Sequence, residues 1–217
     1  MIGLLRREFF RRGSRSRLVT RALFHLDPPA LEPGERYFDS ASVALVRSAA
    51  TRVESGARVI DLGCGSFALL ALALEQRAGR VLAVDVAPRI TTRARASVAH
   101  NRSGVEVREG DLLAGLDEPF DFVLFDPPYV PSAVGEAQGL PESHRTQWDG
   151  GPDGTAVAQR FLESFAVHGG EATALLGVNR HRVSREHMSA LVASSGLEVV
   201  DRDSHDLVAA DVWVLRR

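Results

Sequence analysis

The feature that most constrains this chain is a repeated unit. A short apolar run ends at an acid, and a stretch of helical character follows. The runs are ARVIDL (57–62), RVLAVDV (80–86), GVEVREGD (104–111) and FDFVLFDPPY (120–129), whose acids are Asp61, Asp85, Asp111 and Asp126. Between the first three lie FALLALALEQ (67–76) and a helix opened by Pro88 and running to about His100. Proline suits the first helical position because its missing N–H would have no partner there. After a long polar, Gly/Pro-rich loop (about 130–153) come a helix from about Thr155 to Val167, a strand EATALLGV (171–178) and a helix over about 184–195. The end, GLEVVDRDS and LVAADVWVLRR, reads as two strands with a short connection. Strands separated by helices cannot pair as hairpins, so they predict a parallel sheet covered on both faces. The expected fold is α/β: a doubly wound, mostly parallel, seven-stranded Rossmann-like sheet with a C-terminal antiparallel hairpin.

Upstream, Asp39 is placed to cap a helix from about Ser40 to Glu54, with Val43, Ala44, Val46 and Ala50 on one face. The segment DPPALEPGER separates this domain from a basic stretch. Residues 1–21 hold Arg6, Arg7, Arg11, Arg12, Arg15, Arg17 and Arg21 against Glu8 alone, within a chain of net charge −2. The expected division is a basic arm, helix and linker over 1–34 and one catalytic domain over 35–217. A basic arm beside an acidic domain suits phosphates or an acidic partner surface, or serves solubility. No apolar run approaches the ~18 residues of a membrane span. The N-terminus lacks the apolar core of a secretory signal. The single cysteine, Cys64, excludes an internal disulfide framework and fits a reducing, cytoplasmic setting. With seven scattered histidines and one cysteine, no metal cluster is expected.

In a sheet of this kind ligands bind beyond the C-terminal strand ends. One acid after a strand is a routine turn residue. Four in consecutive units, with a glycine turn after the first, point to a charged, hydroxyl-rich ligand. Gly63 and Gly65 let the backbone approach it without Cβ interference. Asp85 is placed for two ribose hydroxyls and Asp111 for an adenine amino group, with the neighbouring Val86 and Leu112 in the same ligand set. The string Gly63 to Ala68 also satisfies a relaxed dinucleotide fingerprint. Asp61 argues against that ligand: just before the glycines it repels a pyrophosphate but suits a cationic sulfonium ligand and its amino group. S-adenosylmethionine is therefore the expected cofactor, with Asp61, Gly63, Gly65, Asp85, Val86, Asp111, Leu112 and Asp126 around it.

Asp126-Pro127-Pro128-Tyr129 carries the expected chemistry. Read blandly, Asp-Pro opens a turn after a buried strand. Read functionally, two prolines stiffen the backbone. The Asp126 side chain and Pro127 carbonyl then accept from one NH2 group, and Tyr129 stacks on the flat group that bears it. An amide or arylamine lone pair is delocalised, so alignment with the methyl donor supplies much of the rate.

Together, Asp-Leu-Gly-x-Gly-Ser, Val-Asp-Val, Gly-Asp-Leu-Leu and Phe-Asp-(x)3-Asp-Pro-Pro-Tyr-Val-Pro resemble class I methyltransferases with an (Asn/Asp)-Pro-Pro-Tyr motif. They are most similar to the HemK-like enzymes that methylate a release-factor glutamine. Trp148-Asp149-Gly150-Gly151-Pro152-Asp153-Gly154 resembles that family's Gly-Gly-x-(Asp/Asn)-Gly segment. The resemblance covers about 35–180. It implies transfer to a planar nitrogen, most simply a protein glutamine amide. The alternatives are an exocyclic base amine in RNA or DNA, or a small molecule. By analogy with the family, Tyr37 to Ser40 are expected over the cofactor. Three departures stand out. The family usually has Asn where Asp126 stands, and aspartate there is more familiar in nucleic-acid enzymes. Phe67 replaces the third glycine, where it is expected to reshape the methionine pocket. The long helical substrate domain is missing, a layout closer to the shorter enzymes that pair with a small zinc-binding partner, which implies a small activating subunit. Cys64 is expected as a small buried turn residue, and His25, His144 and His168 as loop or surface residues. Trp148 either lines the substrate cleft or covers the sheet.

Overall fold

The structure, a computed structural model, describes residues 12–206 and 208–217. Part of the basic stretch read from the sequence, residues 1–11, lies outside them.

The seven strands are β1 (Arg58–Leu62), β2 (Arg80–Asp85), β3 (Glu106–Glu109), β4 (Phe122–Phe125), β5 (Thr173–Asn179), β6 (Glu198–His205) and β7 (Ala210–Arg216). They form one sheet in the order β3-β2-β1-β4-β5-β7-β6. All neighbours from β3 to β5 are parallel, and β7 runs antiparallel to both β5 and β6. The doubly wound sheet with its terminal hairpin is therefore present. The inner strands are buried on both faces, which is why they read as continuous apolar runs rather than alternating ones. Edge strand β6 is mostly exposed and charged, and a bulge between Val199 and Asp201 interrupts its pairing. Both devices discourage edge-to-edge association.

The helices are α1 (Arg17–Phe24), α2 (Ser40–Arg52), α3 (Leu69–Leu74), α4 (Pro88–His100), α5 (Ser132–Ala137), α6 (Arg145–Trp148), α7 (Ala156–His168) and α8 (Arg185–Ser195), with a 3-10 turn at Glu142–His144. The chain winds one way from β1 through β2 to β3 and the other way from β4 to β5. Right-handed crossovers then put α3 and α4 on one face and α7 on the other. Among the described residues, no helix is long and apolar enough to cross a membrane.

Helix α2 is capped by Asp39, whose carboxylate accepts from Ala41 N at 2.7 Å and Ser42 N at 3.0 Å. Its buried face is Ala41, Val43, Ala44, Leu45, Ser48 and Ala49, rotated from the expected one because α2 lies against β5, β7 and α3 together. The approach to β5 is close. A Cβ on Gly177 would sit 2.8 Å from Leu45 Cδ1 and 3.2 Å from Ala41 Cβ. This glycine lets the first turn of α2 descend to the end of the sheet.

Three expected boundaries move. Helix α3 starts at Leu69 rather than 67, because Ala68 is left-handed at φ 46°. Strand β4 stops at Phe125, since prolines cannot donate to a ladder. The expected loop 130–153 holds α5, the 3-10 turn and α6. These are too short to show a helical period, and tertiary contacts fix them: Trp148 lies over Gly135 and donates to Pro141 O at 3.0 Å, while Arg145 pairs with Glu136, Glu142 and Asp149.

Residues 12–34 pack on the domain rather than apart from it. Thr20 is fully buried, Phe24 meets Phe38 at 5.3 Å between ring centres, and Tyr37 N donates to Ser14 O at 2.8 Å.

Candidate active site

The register of the sheet assembles the site. Leu62 pairs with Val84 on one side and with Phe125 on the other, and Phe125 pairs with Leu176. The next residues, Gly63, Asp85, Asp126 and Gly177, therefore stand at one level where strand order reverses between β1 and β4. That is the switch point at which open α/β sheets bind ligands.

Two adjoining cavities open there. One, of about 290 Å³, is lined by Asp61, Gly63, Gly65, Phe67, Asp85 and Asp126 to Tyr129, with Tyr37 to Asp39 above. The other, of about 690 Å³, is lined by Asp85, Val86, Asp111 and Leu112. Gly63, Asp85, Phe125 and Pro128 border both. Asp61, Gly63, Gly65, Asp85, Val86, Asp111, Leu112 and Asp126 to Tyr129 thus border one continuous cleft, while Ser40 does not line it.

Asp61 is 1% exposed. Its Oδ2 accepts from Ala71 N at 3.0 Å, while Oδ1 has no partner. Burial pushes the carboxyl up to about 7, and Asp85 adds to this. Asp85 accepts from Gly65 N at 3.1 Å and Ala87 N at 3.0 Å, with lone pairs to spare for hydroxyls. Burial raises its pKa too, opposed by those N–H groups. Gly65 has φ 63° and open space where a Cβ would point, so a side chain there would be strained and would project into the cleft. Asp111 is half exposed and paired with Arg160 of α7 at 2.6 Å. Cys64 is buried, and burial pushes its thiol well up, as befits a small turn residue. Phe67 is buried on the cavity wall, edge-on to Tyr37 at 5.0 Å with the Arg93 guanidinium 5.6 Å from its ring.

The Asp126–Tyr129 segment is clamped from outside. Val130 N donates to Trp148 O and Gly150 N to Val130 O, each at 2.9 Å. A Cβ on Gly150 would lie 2.7 Å from Pro128 O. The glycine segment 150–154 therefore rests directly on the backbone after β4, which gives a steric reason for its composition. Asp126 is held from inside by Tyr129 Oη and Ser42 Oγ, both 2.7 Å away. No group among the described residues is bonded to the Pro127 carbonyl.

Sequence reasoning missed several residues. Ser42 reaches Asp126 across 84 positions. Asn179, the last residue of β5, and Arg182, just beyond it, line the cavity. His144, expected at the surface, is buried on the cavity wall with Nε2 unpartnered, 3.9 Å from Glu35 Oε1. It was drawn inside because the 3-10 turn folds over the cleft. Glu35 itself is buried and accepts from Ser66 Oγ, at 3.0 Å, and from Arg93. Glu32, Glu35 and His144 bring ligand atoms within 4.8 Å of one another, but Arg89 and Arg93 already occupy both carboxylates. Trp148 lines the cleft.

Residues 34–139 match the methyltransferase small domain family. The chain is 36% identical over 151 residues to a release factor glutamine methyltransferase of Rhodospirillum rubrum, covering 67% of this chain and 40% of that one. It is 42% identical over 69 residues to a ribosomal protein L11 methyltransferase of Thermosipho africanus, covering 32% and 26%. A methyltransferase structure from Pyrococcus furiosus superposes with TM-score 0.68 at 19% identity, covering 95% of this chain and 98% of that one. The fold is thus that of the S-adenosylmethionine-dependent methyltransferases. The chain spans 40% or less of the two curated relatives' lengths.

The residues present fit that cofactor. The orphaned, buried Asp61 Oδ1 offers an acceptor for its ammonium group, and Asp85 offers acceptors for its ribose hydroxyls.

Proposed function

We propose that this chain transfers a methyl group from S-adenosylmethionine to a planar NH2 nitrogen, the side-chain amide of a glutamine in a protein. The observation that carries this is the level placement of Asp126-Pro127-Pro128-Tyr129 beside Asp61 and Asp85, with the Pro127 carbonyl unbonded. Bound at the switch point, the cofactor supplies an electrophilic methyl group. Asp126 and Pro127 O accept from the two hydrogens of the nitrogen and so fix its lone pair. Tyr129, its hydroxyl tied down, presents its ring to the flat amide. Tyr37, Phe67 and Trp148 contribute aromatic walls to an otherwise polar pocket. Relatives named for release factors and for a ribosomal protein support a protein substrate.

The test offers label from the methyl group of S-adenosylmethionine to purified release factors, to total protein and to RNA. Label on a glutamine of a release factor is expected. Label confined to RNA would overturn the substrate class in favour of an exocyclic base amine. That second reading rests on Arg36 and Arg182, which line the cavity with exposed side chains. Failure to bind S-adenosylmethionine, with clear binding of a nicotinamide dinucleotide instead, would overturn the activity itself.

A further inference from the structure

We propose that Asp126 works as the neutral acid, donating its proton to Tyr129 Oη, and that Asp39 and Ser42 are the positioning residues that hold it in that state. The consequence for methyl transfer rests on the function proposed above; the protonation state itself does not.

The argument is a count of hydrogens. Tyr129 Oη lies 2.7 Å from Gly177 O and 2.7 Å from Asp126 Oδ1. A phenol has one hydrogen, and a backbone carbonyl can only accept. If Asp126 is ionised, one of these two contacts brings lone pairs together with no hydrogen between them. If Asp126 carries a proton on Oδ1, the chain runs Asp126 to Tyr129 to Gly177 with every oxygen satisfied.

At the other oxygen the hydrogen count is the same in either state of Asp126, and what changes is the charge. Ser42 Oγ lies 2.7 Å from Asp126 Oδ2 and 3.2 Å from Asp39 Oδ1, again with one hydrogen to give. Two carboxylates would face each other across it. Of the two, Asp39 is the one with backbone donors. It accepts from Ala41 N and Ser42 N at the start of α2, where the helix favours an anion. Asp126 has no such support. The groups facing it are Asp39, the cap of α2, Ser42 from α2 and Tyr129 from its own segment, whose hydroxyl also meets Gly177 O of β5. Arg182 lines the same cavity but is bonded to neither carboxyl. Burial, reinforced by Asp39, holds the Asp126 carboxyl well above its usual range.

A neutral Asp126 offers one carbonyl acceptor and one O–H donor, the pattern an asparagine amide would offer. The second lone pair of Oδ2 stays available for the substrate NH2. Such a group orients the nitrogen without taking its proton, which leaves to solvent after the N–CH3 bond forms and the S–CH3 bond breaks.

Infrared spectroscopy of the protonated-carboxyl band tests the state directly. At pH 7 the wild type should show a component that is lost in Asp126→Asn and retained in Asp61→Asn, the second variant removing a different carboxyl that burial raises to about 7. Asp39→Asn keeps a good helix cap and should shift the Asp126 component's titration down by about one pH unit or more, a tenfold change. With a methyl-accepting substrate, wild-type turnover should fall as pH rises through that titration, while Asp126→Asn stays active and flat. An Asp126-dependent component absent from pH 5.5 to 7, or unmoved in Asp39→Asn, overturns the proposal. So does a wild-type rate that rises through the titration. If no methyl acceptor is found, the proposed function fails while the infrared result still decides this one.

Discussion

Asp61 combines deep burial with an unpartnered carboxyl oxygen at the cleft. A carboxyl buried with one oxygen unpaired is costly unless a ligand supplies the partner. The free protein raises its pKa to about 7, mainly by burial. An ammonium group at Oδ1 favours the ionised form, so binding below pH 7 must release a proton. Affinity for S-adenosylmethionine should then be flat above about pH 7.5 and fall by roughly tenfold per unit well below 7. Calorimetry in two buffers of different ionisation enthalpy measures the released proton. Asp61→Asn should weaken binding at pH 8 by about 1.5–3 kcal/mol and remove most of the pH dependence. Wild-type affinity that is constant from pH 5.5 to 8 would place the ammonium elsewhere. Asp61, Asp85 and the Asp126 segment were legible in the sequence because each ends a buried strand, so one local pattern locates all three. The partners of Asp126 were not. Asp39 reads locally as a helix cap, and nothing in the chain signals that Ser42 meets a carboxyl 84 positions away.

At the scale of elements, the placing of α2 links packing to the site. Gly177 lets α2 settle on β5, and the same descent delivers Asp39 and Ser42 to Asp126. Gly177→Ala puts a methyl group against Leu45 and Ala41, overpacking that costs about 1–3 kcal/mol of stability. The expected signature is selective. Turnover should drop at least tenfold while affinity for S-adenosylmethionine changes by less than threefold, because Asp61 and Asp85 are held by α3 and the glycine turn instead. Thermal melts, calorimetry and single-turnover rates separate these effects; an equal loss of affinity and rate would show that α2 does not act through Asp126. Strands β1, β2, β4 and β5 were readable because burial on both faces leaves an unbroken apolar run. The cover formed by α5, the 3-10 turn and α6 was not, because a helix of four to six residues has no period and takes its shape from Trp148 and Arg145.

For the whole molecule, the question is what the basic N-terminal stretch adds to a cleft built elsewhere. Thr20 and Phe24 belong to the core, and Ser14 is bonded to Tyr37, so deleting residues 1–21 would damage the domain as well as remove charge. Deleting residues 1–11 removes Arg6, Arg7 and Arg11 against Glu8 and spares these contacts. If those arginines neutralise phosphates, RNA binding should weaken on deletion and the slope of log affinity against log salt should flatten by up to about three, since each contact releases a counterion. If the substrate is a protein, RNA affinity should be weak, in the non-specific range of about 10⁻⁴–10⁻⁶ M, and unchanged by the deletion. The second outcome is expected here, because the relatives that support the proposed function are named for protein substrates. Binding titrations of both forms against one RNA at 50 and 200 mM salt decide between them. A tenfold loss on deletion, with a flatter slope, would instead make the arm part of a nucleic-acid site and move the substrate to a base amine.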